Sequence, residues 1–167
     1  MRTFPRLGAI GFLVGSLGCQ DDPRGLATTP PETGGTSSVF YLTVSDKAPR
    51  VGSTITVTAN VAPARGAKAV GSFAGHLRYD PIGLTFVAES RLPAGLRAFN
   101  AQAGHIRVAG AAVEGFQDGR LFAVTFRVND TRALATMELA LDEMTGTDFG
   151  NHLSADPRQR AVRLGSR

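Results

Sequence analysis

Histidine, serine and cysteine side chains are the first candidates for catalytic chemistry in this sequence. The three histidines are His76, His105 and His152, and none of them shows the His-x-x-x-His spacing of a metal site. The single cysteine, Cys19, belongs to the N-terminal segment. Ser72 lies in "GSFAG", which reads as part of a strand and not as the strand-to-helix turn of a serine nucleophile. We therefore predict no catalytic residue, no cofactor and no enzymatic activity.

Carboxylates gather in one late segment, "DEMTGTDFGN", which contains Asp142, Glu143 and Asp148. Hard oxygen ligands that converge in a loop can bind calcium. The same segment also contains Gly146 and Gly150, which are typical of tight turns. Turn formation is the interpretation that we favour, and we expect no bound metal.

The N-terminal segment has the three-part layout of an export signal. Arg2 and Arg6 precede the apolar stretch "LGAIGFLVGSL", which is too short to span a bilayer and ends just before Cys19. Residues 1–18 resemble a bacterial lipoprotein signal peptide, and that resemblance implies lipidation of Cys19. An ordinary cleaved signal with an incidental cysteine and a retained membrane anchor are the alternatives.

Residues 19–37 are rich in proline, glycine, threonine and serine and have no apolar periodicity. Such a composition predicts a flexible tether. With a lipidated Cys19, the tether would hold a domain of residues 38–167 near a membrane. We therefore expect an exported protein that is lipid-anchored to the cell envelope or the cell surface.

The net charge argues against nucleic-acid binding. The formal charge of the whole chain is +4, and it falls to +2 without residues 1–18, whose only charged side chains are Arg2 and Arg6. The remaining arginines are scattered along the chain, whereas nucleic-acid binding needs a dense basic stripe with stacking aromatic residues.

From residue 39 onward, apolar and polar residues alternate with a period of two. In "TITVTANV", for example, Ile55, Val57 and Ala59 alternate with threonines, as in a half-buried strand. Similar runs are "VFYLTVS", "GSFAGHLRY", "LTFVAES", "HIRVAGAAV", "RLFAVTFRV" and "MELALDEM", and we expect Pro157 to start a last strand near the C-terminus. Many short strands separated by turn residues predict an all-β protein, an antiparallel β-sandwich.

The segment "RYDP" interrupts one of these runs. Proline cannot donate a hydrogen bond within a sheet, so Pro81 must end the strand and begin a turn. We expect the Asp80 carboxylate to hold this turn and Gly83 to supply an unusual backbone angle. Leu84 and Phe86 then return to the core on the next strand.

These motifs resemble a known family, the cohesin modules of cellulosome scaffoldins. The resemblance consists of "VGSTITVTANV", the "YDP" corner and "DGRLFAVTFRV", in this order, and it extends from Val39 to Leu164. It implies a jelly-roll sandwich of about nine strands, related in fold to certain carbohydrate-binding modules. It also implies binding of dockerins, which are small calcium-loaded helical modules.

The resemblance further implies a partner-binding face on the strand before the corner and on the strands beside it. Cohesins that bind dockerins present Asn and Asp on that strand, where this sequence has Ser72 and Ala74. If the three strands that carry the other outward residues share a sheet, they form a positive patch that attracts an acidic partner and gains charge below about pH 6.5. The candidate face comprises Ser72, Ala74, His76, Arg78, His105, Arg107, Thr125 and Arg127. The alternative is that these residues only keep the sheet soluble.

A second function class is carbohydrate binding on the same fold. Flat polysaccharide sites use exposed aromatic rings, but this chain has no tryptophan and only Tyr41 and Tyr79 as tyrosines, and we expect Tyr79 to point inward. A soluble glycan held by polar side chains in a loop remains an alternative, as does a structural role in the cell envelope. The function that we predict is a non-catalytic, surface-anchored module that recognises an exported protein, with a dockerin-type module as the candidate partner.

Overall fold

The computed structural model describes residues 38–165. The predicted export signal, Cys19 and the tether lie outside the described residues. Within the described range no helix has the length and apolar character needed to cross a bilayer. The nine strands are β1 (Val39–Val44), β2 (Thr54–Ala62), β3 (Val70–Arg78), β4 (Leu84–Ser90), β5 (Leu96–Gln102), β6 (His105–Ala111), β7 (Arg120–Val128), β8 (Glu138–Gly146) and β9 (Ala161–Arg163). Two short 3-10 helices span Thr131–Thr136 and Pro157–Arg160.

The strands form two antiparallel sheets that pack face to face. The four-stranded sheet has the order β1-β2-β7-β4, and the five-stranded sheet has the order β5-β6-β3-β8-β9. The prediction of an all-β sandwich with jelly-roll topology and about nine strands is therefore confirmed.

Alternation along each strand builds the core between the two sheets. Ile55, Val57 and Ala59 of β2 are buried, while the threonines between them face outward. Aromatic rings join the sheets: Phe73 of β3 stacks on Phe122 of β7, with ring centroids 6.2 Å apart. These contacts hold the five-stranded sheet as a firm support for the side chains on its outer face.

The corner after β3 ends the strand as the sequence predicts. Asp80 Oδ1 accepts a hydrogen bond from the backbone N–H of Ile82 at 2.9 Å, and Tyr79 is buried, with its hydroxyl donating to the carbonyl of Gln102 at 3.2 Å. The expectation for Gly83 is wrong, because its backbone does not lie in the left-handed region. Glycine is needed there since a Cβ atom would collide with Ala133.

The structure differs from the sequence prediction at two other places, near Pro157 and at strand β5. Pro157 begins a 3-10 helix rather than the last strand, and Asp156 caps that helix by accepting a hydrogen bond from the backbone N–H of Arg158 at 2.9 Å. Strand β5 was not predicted from the sequence. It forms a hairpin with β6 across Ala103 and Gly104, where Gly104 has a φ of 77° that favours glycine.

Arg97 of β5 points into the sandwich and ties the two sheets together. Its Nε atom donates to the carbonyl of Leu121, its Nη1 to Ala94 at 2.6 Å and its Nη2 to Arg120 at 3.2 Å. The guanidinium also lies 4.8 Å from the ring centroid of Phe116. Since Arg120 and Leu121 belong to β7, this one side chain fixes the edge of one sheet to a central strand of the other.

Candidate functional site

The outer face of the five-stranded sheet has one polar half and one apolar half. On its central strand, β3, the outward residues are Ser72, Ala74, His76 and Arg78. Their direct neighbours on β6, in the same order, are Ala111, Ala109, Arg107 and His105. The change from alanine to basic residues therefore occurs at the same level on both strands.

Four basic side chains form a compact group in the polar half, which we call the basic square: His76, Arg78, His105 and Arg107. His76 pairs with Arg107 across the two strands, and Arg78 pairs with His105. The imidazole rings of His76 and His105 lie diagonally, with centroids 5.4 Å apart. Directly opposed side chains on neighbouring strands are close enough to act on one ligand.

Acidic residues border the basic square on the β8 side. A bulge makes Asp142 an extra exposed residue of β8, and its Oδ2 atom lies 3.5 Å from Nδ1 of His76. Glu138 stands opposite Arg78 in the strand register, but its Oε2 atom accepts a hydrogen bond from Nε of Arg163 on β9 at 2.9 Å. The positive patch predicted from the sequence is thus partly neutralised along one side.

Burial and the neighbouring basic side chains disfavour protonation of His105. Burial is the largest cause that lowers the pKa of His105 below its ordinary value of 6.5, followed by the positive charges of His76, Arg107 and Arg78. A negative group placed over the square would offset these three charges and favour the imidazolium form.

On β6 and β5 the apolar half consists of alanines and Leu96, whereas on β8 the exposed Glu143 lies opposite Ala74. Ala98 of β5 lies opposite Ala109 of β6, Ala74 of β3 lies on the other side of Ala109, and Leu96 at the start of β5 is 82% exposed. A shallow depression of about 350 Å³ lies between these alanines and the polar half; its lining includes Ala74, Ala98, Asn100, Arg107, Ala109 and Asp142.

The expectation that three strands share this face is wrong for β7. Thr125 and Arg127 lie on β7, which pairs with β2 and β4 in the four-stranded sheet, so they face away from the other predicted residues. The alternation of "RLFAVTFRV" predicts which residues of the strand point outward, but it does not predict to which of the two sheets the strand belongs. The remaining six residues of the candidate face do share one surface: Ser72, Ala74, His76, Arg78, His105 and Arg107.

The third histidine and the late carboxylates form no metal site among the described residues. His152 lies in the loop after β8, and its Nδ1 atom is buried without a hydrogen-bond partner in the described structure. Asp148 accepts a hydrogen bond from the backbone N–H of Gly150 at 3.1 Å, as a turn former does. Among residues 38–165 no three His, Cys, Asp or Glu side chains group as metal ligands.

Sequence reasoning missed three residues that bear on binding. Asn100 and Gln102 of β5 lie opposite Arg107 and His105 on the outer face, but they belong to the strand that was not predicted. Phe149 is 89% exposed at the tip of the loop after β8, with a φ of 63°. The nearby glycines Gly146 and Gly150 predict a turn at this position, but they do not predict that the ring of Phe149 is exposed.

Solved structures similar to this chain are cohesin modules. One is the cohesin module of a family 33 glycoside hydrolase from Clostridium perfringens, with 13% identity, a TM-score of 0.55 and coverage of 78% of this chain and 97% of that one. Another is a type II cohesin–X–dockerin complex from Acetivibrio cellulolyticus, with 12% identity, a TM-score of 0.52 and coverage of 71% and 93%. A third is a type I cohesin–dockerin complex from Clostridium thermocellum, with 11% identity, a TM-score of 0.52 and coverage of 69% and 92%.

No protein-family model matches the chain, and no curated protein matches it. The structural likeness is found at 11 to 13% identity in these three comparisons, so it concerns the fold. The chain has the cohesin fold, as its motifs predicted.

Proposed function

We propose that this protein is a non-catalytic binding module that recognises another protein through the outer face of its five-stranded sheet. The observation that carries the proposal is the cohesin fold, because two of the similar structures were solved as complexes of a cohesin with a dockerin. The chemistry of the face agrees with a binding role, since exposed arginines, amides and small side chains lie together on one firm sheet.

The partner that we propose is a dockerin-type module that binds calcium. Cohesins that bind dockerins present Asn and Asp where this chain has Ser72 and Ala74. These shorter side chains provide fewer hydrogen-bond acceptors at the centre of the face, so recognition must rely more on the side chains around them. The basic square, which adjoins Ala74 on β3, is the most polar part of that surrounding surface.

Capture of a partner tests this proposal. The full chain, immobilised through a tag, is incubated with the exported proteins of the source organism in calcium and in EDTA. We expect a protein with paired Asp-rich loops to be retained in calcium alone. The variant Ala74→Arg, which places a long side chain at the centre of the face, should abolish retention. The control Thr58→Arg makes a similar change on the outer side of β2 and should retain the partner.

Two results count against the proposal. One is the absence of any calcium-dependent protein, and the other is equal loss of the partner with Ala74→Arg and Thr58→Arg. Circular dichroism of both variants establishes that they are folded before retention is compared. With folded variants, only a difference between the two faces supports binding through the five-stranded sheet.

We further propose that the module acts outside the cytoplasm and is anchored through a lipid on Cys19. Support comes from the sequence of residues 1–19 alone. Cells that express the full chain are labelled with a fatty-acid analogue and separated into membrane and soluble fractions. We expect the wild-type chain to carry the label and to sediment with membranes, and Cys19→Ser to lose both properties. A labelled Cys19→Ser chain would contradict the anchor.

A second candidate function is glycan binding, and the exposed ring of Phe149 favours it. Exposed aromatic rings stack on the apolar faces of sugars, and Phe149 is almost fully accessible at a loop tip. In an affinity gel with soluble envelope polysaccharide, this function predicts retardation of the full chain. Phe149→Ala should remove the retardation and Ala74→Arg should not, which is the reverse of what protein binding predicts.

A further inference from the structure

We propose that the basic square binds a carboxylate of the partner and thereby selects a partner that is acidic over β3, β6 and β5 and not over β8. This inference rests on the proposed function, since it assigns a chemistry to the same face. It goes further because it names the residues that select the partner and the orientation of the partner's charge.

The two arginines of the basic square are available for a ligand. Arg78 and Arg107 are exposed, and neither makes an ion pair in the part of the chain that the structure describes. A guanidinium group presents parallel N–H donors that match the two oxygens of a carboxylate. Since the two arginines are diagonal neighbours on adjacent strands, with an imidazole opposite each of them, one carboxylate can accept from several donors.

The surroundings of the basic square are asymmetric. On the β5 side, Asn100 lies opposite Arg107 and Gln102 lies opposite His105, and both amides are exposed and uncharged. On the β8 side stand the carboxylates of Asp142 and Glu138. A negative group is therefore attracted towards β6 and β5 and repelled from β8, where a neutral or positive group of the partner fits.

Carboxylate binding should depend on pH through the imidazole of His105. His105 is faced by Arg78 and His76 from β3, by Gln102 from β5 and by Arg107 on its own strand. Because a bound carboxylate favours the imidazolium form of His105, affinity should rise as the pH falls towards the lowered pKa of His105.

The test uses peptide probes and proton NMR of the full chain, purified with a tag that lacks histidine. The chain has only three histidines, so the C2 protons of His76, His105 and His152 report separately. The probes are a capped hexapeptide of alternating Asp and Glu and its Asn/Gln counterpart. At pH 6 we expect the acidic peptide to shift the signals of His76 and His105, to leave His152 unchanged and to raise the pKa of His105. The neutral peptide should shift none of them.

Charge reversal locates the site. We expect Arg78→Glu and Arg107→Glu each to weaken binding of the acidic peptide at least fivefold. The control Arg127→Glu makes the same change on an exposed arginine of the opposite face and should leave the affinity within a factor of two. Equal effects of all three variants would show attraction by net charge alone and would overturn the inference, as would the absence of any shift with the acidic peptide.

The captured partner separates this inference from the proposed function. If a calcium-dependent protein is retained equally by wild type and by folded Arg107→Glu, the carboxylate site is wrong and the proposed function stands. If the acidic peptide binds the basic square but no protein is retained, the proposed function fails and the carboxylate chemistry of the square stands.

Discussion

The ring of Phe73 on β3 packs directly over Gly110 on β6. The two residues are paired in the strand register, and a Cβ atom on Gly110 would overlap the ring. Phe73 also contacts the edge of Phe116, with ring centroids 5.4 Å apart. The missing side chain of Gly110 therefore makes room for the aromatic cluster under the apolar half of the candidate face.

Replacement of Gly110 by alanine should destabilise the module. We expect Gly110→Ala to lower the free energy of unfolding by about 1–3 kcal/mol, because the core has no space for an added methyl group. Urea denaturation measures this change. The control Ala109→Val lies on the same strand but points outward, and it should change stability by less than about 0.5 kcal/mol. Equal stability of wild type and Gly110→Ala would contradict the close contact between the Phe73 ring and Gly110.

The depressed pKa of His105 predicts a dependence of stability on pH. Because the folded-state pKa lies below the unfolded value of about 6.5, the unfolded chain binds more protons between the two values. This contribution lowers the free energy of unfolding as the pH falls through that window and is absent above the unfolded value. In urea denaturation at pH 7.5 and pH 5, His105→Asn should therefore lose less stability on acidification than wild type. If wild type and His105→Asn lost the same stability on acidification, His105 would not be a cause of the pH dependence.

Removal of the neighbouring charge should reverse part of this pKa shift. Arg78 is one of the groups that lower the pKa of His105. We expect Arg78→Gln to raise the pKa of His105 towards its ordinary value, as measured by NMR titration of its C2 proton. Arg127→Gln on the opposite sheet is the matched control and should leave this titration unchanged.

Arg97 should be difficult to replace. Arg97→Met keeps much of the aliphatic stem but leaves the carbonyls of Ala94, Arg120 and Leu121 without their donor, so we expect a loss of about 2–3 kcal/mol. Arg97→Lys keeps the charge but not the planar fork, and it should recover less than half of that loss. Thermal or urea denaturation compares the three proteins. Full recovery with lysine would show that charge, and not the fork, holds the sheets together.

Phe149 stores backbone strain at an exposed site. Phe149 has a left-handed backbone, which costs a non-glycine residue about 1–2 kcal/mol. Replacement by glycine removes this cost, and the greater flexibility of glycine in the unfolded chain cancels only part of the stabilisation. Phe149→Gly should therefore stabilise the module by about 0.5–1 kcal/mol. Phe149→Ala keeps the strain and, since the ring is exposed, should change stability little. Destabilisation by Phe149→Gly would show that the ring makes a contact that outweighs the strain.

The sequence was sufficient to predict most strands because their inward residues alternate. In β2 and β7, for example, the buried positions are apolar with few exceptions, and the observed bounds agree closely with the alternating runs. Strand β5 was not predicted because its pattern is inverted: Leu96 faces solvent, while Arg97 points into the sandwich and donates hydrogen bonds to carbonyls of β7 in the other sheet. A local sequence pattern cannot predict the hydrogen bonds of Arg97, because its acceptors lie on a strand that is distant in the sequence.

The candidate site was predictable in part for a related reason. Residues on β3 and β6 were placed correctly on one face, since the two strands are paired partners. Thr125 and Arg127 were not, because alternation is a property of one strand and sheet membership is a property of the whole fold. The acidic border of the basic square depends on the bulge that exposes Asp142, which the sequence does not signal.

Strand β5 also bears on how the module behaves at high concentration. It is seven residues long, pairs without a register shift with β6 and is the last strand of its sheet, whereas β4 is bulged and β9 has only three residues. Exposed edges usually carry charges that prevent self-association, but the only charged side chain of β5 is turned inward. Pairing of two copies along β5 is therefore one route to aggregation, and Ala98→Lys would place a charge on this edge.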